Sequence, residues 1–361
     1  MRIALVKQDV YQDLYVCGPG TNDPAKLLFS SMGRVGPIGL FTRLSADFYI
    51  VREESAAECQ VYRRVIPELA NHLQMLKTRR HDQIPGREFF RPGSQQTHAD
   101  CSVSCHSLAW DAYDVVISLN VSLPKRLILK YPRTLFCYMI GEANLATRRV
   151  RFGYDVCLNQ QARGRIAVKP GVVDFPYTFL GPQCLERLMA ERLHRASRDS
   201  GIYAEINSCP GRPVTNVPNV FRPLESLGHR VRLHRQLISE NLAEIYDAKY
   251  FLKLGGRKIR GNSAIEAISL GTLVLMDPEC MTHRELLPTE TWVHSADEAR
   301  ERIRFLDAHP SVYCELLEQQ RRRLQQHVTS CPIISLRNCL AYKRRQQPVP
   351  QTQASHDSPV L

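Results

Sequence analysis

Short apolar runs separated by helical or turn-rich segments constrain the fold of this chain more than any other feature. Runs of this kind are typical of parallel strands that are buried on both faces. Between the second and third runs, residues 61–76 are predicted to form a helix, and the polar residues 84–107 a long loop. The predicted strands of the first half cover residues 2–6, 46–51, 114–120, 134–140 and 154–159.

A second unit of the same kind begins near Gly201, where GIYAEINS predicts a strand. Ser295 followed by Glu298 is a capping box that starts one of its helices. The expected fold class is therefore α/β, with two doubly wound Rossmann-like domains facing a cleft, over residues 1–198 and 199–330. Residues 331–361 are predicted to be a C-terminal segment, disordered from about residue 346. Residues 182–198, before this unit, are predicted to be a charged helix that connects the two units. The other predicted elements of the second unit are helices at 238–246 and 312–327 and strands at 250–254 and 272–276.

The composition narrows the class of partner. A net charge of +12, from 48 basic and 36 acidic residues, favours anionic partners such as nucleic acid, a phosphorylated substrate or an anionic membrane. No nucleic-acid-binding motif is present, so nucleic acid is not expected. The cations at 321–323 and 343–345 form either a solvated helical face or a patch for peripheral membrane contact. No apolar run approaches the length of a membrane span, and we expect a cytoplasmic protein.

The cysteines and histidines do not predict a metal site. Twelve cysteines are scattered singly, and several interrupt apolar runs, so we expect buried thiols in a reducing compartment. Cys101, Cys105 and His106 have a spacing that could serve zinc, but no second half of a zinc site follows. We therefore expect an ordinary loop there.

The most informative stretch is GGRKIRGNSAIE, residues 255–266. It follows a predicted strand, at the edge where open α/β sheets bind ligands, and its glycines allow close approach of the backbone. Asn262 or Ser263 is a natural N-cap, which leaves free backbone N–H groups at the helix start. Together with the helix dipole, these groups form an anion site.

Charged side chains flank that helix start. Arg257, Lys258 and Arg260 can neutralise a diphosphate without a metal. Glu266 follows about one turn later, where its carboxylate can accept hydrogen bonds from the vicinal diol of a ribose. Phosphate at the cap and ribose one turn along describe a nucleotide. Each feature also has a plain structural explanation, helix capping for Glu266 and solvated surface for the cations, and only their coincidence on one unit favours a ligand.

These residues resemble the donor-binding region of glycosyltransferases of the GT-B fold. The resemblance implies that Glu266 contacts the ribose of a nucleotide sugar and that the cap and the basic residues hold its diphosphate. Residues 1–198 would then be the acceptor side. Retaining families carry another glutamate eight positions before the ribose-binding one, but this chain has Lys258 there, so retention of configuration is not supported. The matching residues are Gly256, Lys258, Gly261, Asn262, Ser263, Glu266, Ala267, Gly271, Thr272 and Val274.

The predicted donor-binding set is Gly256, Arg257, Lys258, Arg260, Gly261, Asn262, Ser263 and Glu266. Lys258 is also predicted to assist catalysis by stabilising the leaving diphosphate, as a metal does in other transferases. Glu142, after the strand at 134–140, is the candidate general base. His98, Asp100 and His106 are alternative bases, and the turn at 16–23 is a candidate lining of the cleft.

The leading interpretation is a metal-independent glycosyltransferase. It would move a sugar from a nucleotide-sugar donor to a hydroxyl of a glycan or lipid-linked acceptor, in surface polysaccharide assembly. The nucleotide sugar is a substrate, and no cofactor is expected. The alternatives are a nucleotide-sugar epimerase of the same fold and a non-catalytic protein that binds a glycan or a nucleotide.

Overall fold

The computed structural model describes thirteen segments of the chain, which form two sheets and the helices that pack on them. These segments cover residues 1–8, 47–51, 60–64, 102–104, 108–119, 122–139, 153–176, 201–205, 222–229, 231–233, 244–254, 262–280 and 283–347. Their strands are parallel apart from two at one edge of the first sheet. This arrangement confirms an α/β fold.

The N-terminal sheet has eight strands in the order β4-β3-β2-β1-β5-β6-β7-β8. Its central strands are apolar and fully buried, as predicted for strands covered on both faces. The order reverses between β1 and β5, which lie side by side. The strands are β1 (Ile3–Gln8), β2 (Asp47–Val51), β3 (Gln60–Arg64), β4 (Ser102–Ser104), β5 (Val115–Leu119), β6 (Leu135–Met139), β7 (Val156–Asn159) and β8 (Val172–Asp174).

Two predictions at the β3–β4 edge of this sheet were wrong. Gln60–Arg64 is strand β3, although residues 61–76 were predicted to begin as a helix. Ser102–Ser104 is strand β4, inside the predicted polar loop. β3 pairs antiparallel with β2, so that Val61 lies opposite Val51. Pairing with a neighbouring strand decides such short segments, because strand preference depends on the cross-strand partner.

The C-terminal sheet has four parallel strands in the order β10-β9-β11-β12. Trp292 extends it by a single parallel bridge to Met276. The predicted strands of this unit at 250–254 and 272–276 and in GIYAEINS are confirmed within a residue or two. The bounds are β9 (Ile202–Glu205), β10 (Val231–Leu233), β11 (Tyr250–Lys253) and β12 (Leu273–Met276).

Five α-helices have complete bounds in the described segments: α1 (Lys125–Lys130), α2 (Asn262–Ser269), α3 (Ala296–Ala308), α4 (Pro310–Leu324) and α5 (Cys331–Arg345). The capping box at the start of α3 is confirmed, since the Ser295 side chain accepts a hydrogen bond from Glu298 N at 3.1 Å. The Glu298 carboxylate accepts from His294 N at 2.7 Å. Both partners therefore satisfy backbone donors at the helix start.

Helix α5 brings the end of the chain back onto the N-terminal sheet. A π-helical turn, Gln325–Ser330, connects it to α4. Its apolar residues Leu336, Cys339 and Leu340 join the core beneath β1, β5, β6 and β7. Burial raises the pKa of Cys339 to about 11, and the nearby Asp155 adds to the shift, so this thiol stays protonated. The tail from residue 348, where disorder was predicted, lies outside the described residues.

None of the helices described here is long and apolar enough to cross a bilayer. Cys137 and Cys157 are buried within β6 and β7, as the apolar runs around them predicted. Both thiols serve as small hydrophobic side chains in the core of the N-terminal sheet.

Candidate functional site

The strand order of the C-terminal sheet reverses between β9 and β11. Strand β9 has β10 on one side and β11 on the other, and β11 leads on to β12. Ligands of doubly wound sheets bind outside the carboxyl ends of the strands at such a reversal, because the crossover helices leave in opposite directions there and open a crevice. The last residues of these two strands are Glu205 and Lys253, which lie opposite each other in the ladder.

Glu205 and Lys253 form a buried ion pair at this point. The Lys253 Nζ lies 3.1 Å from Glu205 Oε1, and the exposed fractions of the two side chains are 0% and 6%. Each ends a strand that is otherwise apolar. Removing two charges from water is unfavourable unless they are paired and hydrogen-bonded, so a pair this deep needs a reason beyond stability.

The start of helix α2 is attached to that ion pair. α2 begins at Asn262, and the hydroxyl of Ser263 donates a hydrogen bond to Glu205 Oε2. The two predicted cap residues are thus the first two residues of the helix, and the Ser263 hydroxyl donates to a carboxylate. A carboxylate beside the first turn is favoured by the helix dipole. Glu205 therefore fixes the helix start relative to β9 and β11.

Glu266 lies in the same helix and is buried, with 9% of its surface exposed. Its neighbours on both sides in sequence, Ile265 and Ala267, are fully buried. Burial raises the pKa of the Tyr203 phenol above its usual range, and the charges of Glu205, Glu244 and Glu266 raise it further. Tyr203 is consequently a protonated hydroxyl among three carboxylates, stacked on Phe251 with ring centroids 5.8 Å apart.

The described part of the site is rich in carboxylates. Three carboxylates raise the pKa of Tyr203, and Lys253 forms an ion pair with one of them, Glu205. Carboxylates accept hydrogen bonds from hydroxyl groups and repel phosphate. The described surroundings of Tyr203 are therefore predominantly acidic.

The structure brings together three of the predicted site residues: Asn262, Ser263 and Glu266 all lie on α2. The remaining predicted residues lie outside the described residues and stay predictions. These are Glu142, Gly256, Arg257, Lys258, Arg260 and Gly261, together with the alternative bases His98, Asp100 and His106 and the turn at 16–23.

Sequence analysis missed Glu205 and Lys253. The signal was present, since IYAE and YFLK both end a buried strand on a charged residue. Two such strands in one parallel unit place their last residues at the same edge of the sheet. Reading the final residue of every predicted strand would have found the pair.

A second polar cluster lies at the carboxyl ends of β7 and β8. Burial raises the pKa of Asp174, with the charge of Glu285 adding to the shift, while Arg163 and Arg165 oppose it. His327 donates its Nδ1 hydrogen to Ala162 O at 3.0 Å. Burial lowers the pKa of His327, so the imidazole is held neutral. No group of three or more metal-ligating side chains occurs among the residues that the structure describes.

Doubly wound sheets commonly bind ligands at the reversal of their strand order, and here that reversal carries polar side chains. No protein-family model and no curated protein matches the chain. Three solved structures are similar to it over nearly their whole length. Phage T4 β-glucosyltransferase is 11% identical with a TM-score of 0.41, and the match covers 93% of this chain and 97% of that chain. Sucrose-phosphate synthase of Thermosynechococcus elongatus is 13% identical with a TM-score of 0.42 (95% of this chain and 99% of that chain), and HepE of Anabaena in complex with UDP is 10% identical with a TM-score of 0.37 (93% and 98%).

These neighbours are glycosyltransferases of the GT-B fold. The sequence identities and TM-scores describe a distant likeness.

Proposed function

We propose that this protein is a glycosyltransferase that takes its sugar from a nucleotide-sugar donor. One observation carries the proposal: helix α2 starts beside the strand-order reversal of the C-terminal sheet, with Glu266 buried in the same helix. A helix start at such a reversal is the usual place for a phosphate-bearing ligand. A buried carboxylate one turn farther is placed to accept hydrogen bonds from a sugar diol.

In this proposal, the charges of the site place the ribose and the diphosphate of the donor in two different parts of it. Glu266 would bind the ribose hydroxyls. The diphosphate would lie toward Arg257, Lys258 and Arg260, because the carboxylates around Tyr203 repel phosphate and those cations attract it. Gly256 and Gly261 would allow the backbone to approach the diphosphate closely.

Glu205 and Lys253 are assigned a positioning role. Their ion pair and the hydrogen bond from Ser263 hold the first turn of α2 in place. A helix start that is fixed before the ligand binds presents its N–H groups without a loss of conformational entropy. Asn262, the first residue of the helix, belongs to that anchored turn.

The proposed reaction needs one proton transfer and one displacement. Glu142 would accept the proton of an acceptor hydroxyl, whose oxygen then bonds to the anomeric carbon of the sugar. The bond from that carbon to the diphosphate breaks, and its electron pair leaves on the diphosphate. Lys258 and its neighbouring arginines would stabilise the developing charge without a metal. We further propose that the acceptor is a glycan or a lipid-linked molecule, that the protein is cytoplasmic, and that it acts in surface polysaccharide assembly.

Thermal unfolding of the protein with UDP-, GDP-, ADP- and CMP-sugars tests the donor site. Ligand at about a hundredfold over its dissociation constant stabilises a protein by about 2.7 kcal/mol. We expect this shift for one nucleotide family in the wild type and its loss in Glu266→Gln and Lys258→Met. Glu290→Gln, an exposed glutamate elsewhere in the unit, is the matched control and should keep the shift.

If the stabilisation survives in Glu266→Gln and Lys258→Met, the nucleotide binds elsewhere. If no nucleotide sugar stabilises the wild type, the proposed function is wrong. Turnover separates the alternatives. A transferase releases nucleoside diphosphate only with an acceptor or water, and an epimerase interconverts donor sugars without one. A binding protein is stabilised but converts nothing.

A further inference from the structure

The connection between β7 and β8 combines exposed aliphatic side chains with cations. Ile166, Val168 and Val172 have exposed fractions of 48%, 70% and 40%. Between Asn159 and Asp174 the sequence contains three cations, Arg163, Arg165 and Lys169, and no acidic residue. Three large aliphatic groups in water within one short segment are unusual for a monomeric soluble protein and indicate a surface that binds something.

This segment is held rigidly against helix α5. Ala167 N donates to Ser335 Oγ at 2.9 Å, and Asn338 Nδ2 donates to Ala167 O at 3.0 Å. Ala167 is thereby held toward the helix, and the residues on either side of it, Ile166 and Val168, are exposed. The exposure is therefore fixed by hydrogen bonds to another element.

The start of the segment is fixed as well. Gly164 has a φ of +68°, and a Cβ at this position would lie 2.4 Å from Nε2 of His327. Only glycine fits this close contact in that conformation. His327 in turn donates to Ala162 O.

Helix α5 continues the surface with the same chemistry. Ile334, next to Ser335, is 38% exposed. Arg337, next to Asn338, is an exposed cation. From Gln319 to His356 the sequence has seven Lys and Arg residues, at 321–323, 337 and 343–345, and no Asp or Glu. We define the docking patch as Arg165, Ile166, Val168, Lys169, Ile334 and Arg337.

Within the described segments, the cations of the patch are not held in direct ion pairs. No ion pair joins Arg165, Lys169 or Arg337 to a carboxylate in the part of the chain that the structure describes. Lys343 and Arg344, which the sequence also suggested for a membrane face, are instead engaged by Asp155 and Asp114. Arg165, Lys169 and Arg337 thus lie beside the exposed aliphatic groups, whereas Lys343 and Arg344 are held by carboxylates at the end of α5.

We propose that the docking patch binds the surface of an anionic membrane. Cations next to an anionic bilayer each strengthen binding about fivefold, and adjacent aliphatic side chains add affinity by entering the interface between headgroups and acyl chains. Nucleic acid would use the cations but gains little from isoleucine and valine, and the patch has no aromatic side chain on which a base could stack. The combination of aliphatic and basic groups therefore favours lipid. This inference is independent of the proposed donor site, which lies on the other sheet.

Co-sedimentation of the full-length protein with vesicles tests the proposal. The vesicles are phosphatidylcholine alone or phosphatidylcholine mixed with phosphatidylserine, and a DNA duplex is tested in parallel. We expect binding to the mixed vesicles only. Arg165→Gln/Lys169→Gln should weaken it by about 25-fold, from the fivefold factor per cation. Ile166→Ser/Val168→Ser should weaken it at unchanged net charge.

Two control variants match these changes elsewhere on the surface. Arg300→Gln/Arg304→Gln on α3 removes the same charge, and Leu129→Ser on α1 removes an aliphatic side chain that is 63% exposed. Both should bind as the wild type does. Unfolding curves confirm that each variant is folded.

Three results would overturn the proposal. The first is no binding to the mixed vesicles. The second is binding that Ile166→Ser/Val168→Ser leaves unchanged, which would mean attraction of a basic protein to any anionic surface. The third is DNA binding that depends on Arg165 and Lys169 while vesicle binding does not, which would assign the patch to nucleic acid. Each of these results is independent of whether nucleotide sugars stabilise the protein.

Discussion

Ionic contacts occur at both ends of the strands of the C-terminal sheet, but their surroundings differ. At the amino ends, Asp307 from helix α3 binds Lys249 Nζ at 2.5 Å, His229 Nε2 at 2.7 Å and the Tyr250 hydroxyl at 2.8 Å. Its side chain is 32% exposed. At the carboxyl ends, Glu205 and Lys253 are almost fully buried.

The N-terminal sheet uses its amino ends in the same way. Lys343 from helix α5 binds Asp155 Oδ2 at 2.6 Å and Thr134 O at 2.7 Å, and Arg344 binds Asp114 at 2.5 Å. In both sheets, then, a helix that follows the sheet in sequence is attached by ion pairs to residues that directly precede the strands. These contacts join distant parts of the chain near solvent, where desolvation is modest.

The contrast suggests two different roles. Amino-end contacts hold helices on the sheets, and their contribution is structural. The carboxyl-end pair pays a larger desolvation penalty, and a well-packed hydrophobic pair would be at least as stable in its place. Its position at the strand-order reversal is accounted for by the proposed donor site.

Replacing Lys253 by methionine should have the largest effect on stability. The substitution leaves the Glu205 carboxylate buried without its ion-pair partner, which costs about 3 to 5 kcal/mol. Urea unfolding of the wild type and variant measures the change in free energy. The double variant Glu205→Met/Lys253→Met should recover most of the loss while losing nucleotide stabilisation. A loss below about 1 kcal/mol in the single variant would mean that water reaches the pair.

Replacing Lys343 by methionine should have an intermediate effect. Two hydrogen bonds from its ammonium are lost, one to a carboxylate, so we expect a cost of about 1.5 to 3 kcal/mol. Asp155 keeps its hydrogen bond from Phe136 N at 2.8 Å, which limits the loss. Arg345→Met, an exposed cation at the end of the same helix, should change stability by less than about 0.5 kcal/mol. If both variants lost the same stability, the inference that Lys343 attaches α5 to the sheet by an ionic contact would be wrong.

Replacing Asp307 by asparagine should cost the least, about 1 to 2 kcal/mol at neutral pH, because the group is partly exposed. Burial acts to raise the pKa of Asp307, but hydrogen bonds from Lys249, His229 and Tyr250 outweigh it and hold the pKa below its usual value. The folded state therefore binds the proton less tightly than the unfolded state. The stabilisation is complete above the unfolded pKa of about 3.9 and is lost as the pH falls through the folded pKa.

The pH dependence gives this prediction its test. The difference in unfolding free energy between wild type and Asp307→Asn should shrink as the pH falls from neutral to below about 3.9. Asp297→Asn, on the exposed face of the same helix, is the control and should differ from the wild type by less than about 0.5 kcal/mol at any pH. A difference that stays constant with pH would show that the carboxylate charge contributes nothing.

The elements that the sequence predicted well share one property: their patterns are local. Apolar runs such as Leu135–Met139 and Leu273–Met276 are buried strands, and Ser295 caps α3 as the capping box requires. Gln60–Arg64 was missed because its strand pairing with β2 is not local. The same holds for α5, whose attachment to the N-terminal sheet depends on Asp114 and Asp155, far away in sequence.

By itself, the sequence determined the α/β class, most of the strands and the position of Asn262, Ser263 and Glu266 at one helix start. These follow from periodicity and capping, which act over a few residues. Only the tertiary structure decided that Glu205 and Lys253 meet beside that helix and that Ala167 leaves Ile166 and Val168 exposed. Strand order and helix docking fix such contacts, and both depend on burial and pairing between residues that the sequence keeps far apart.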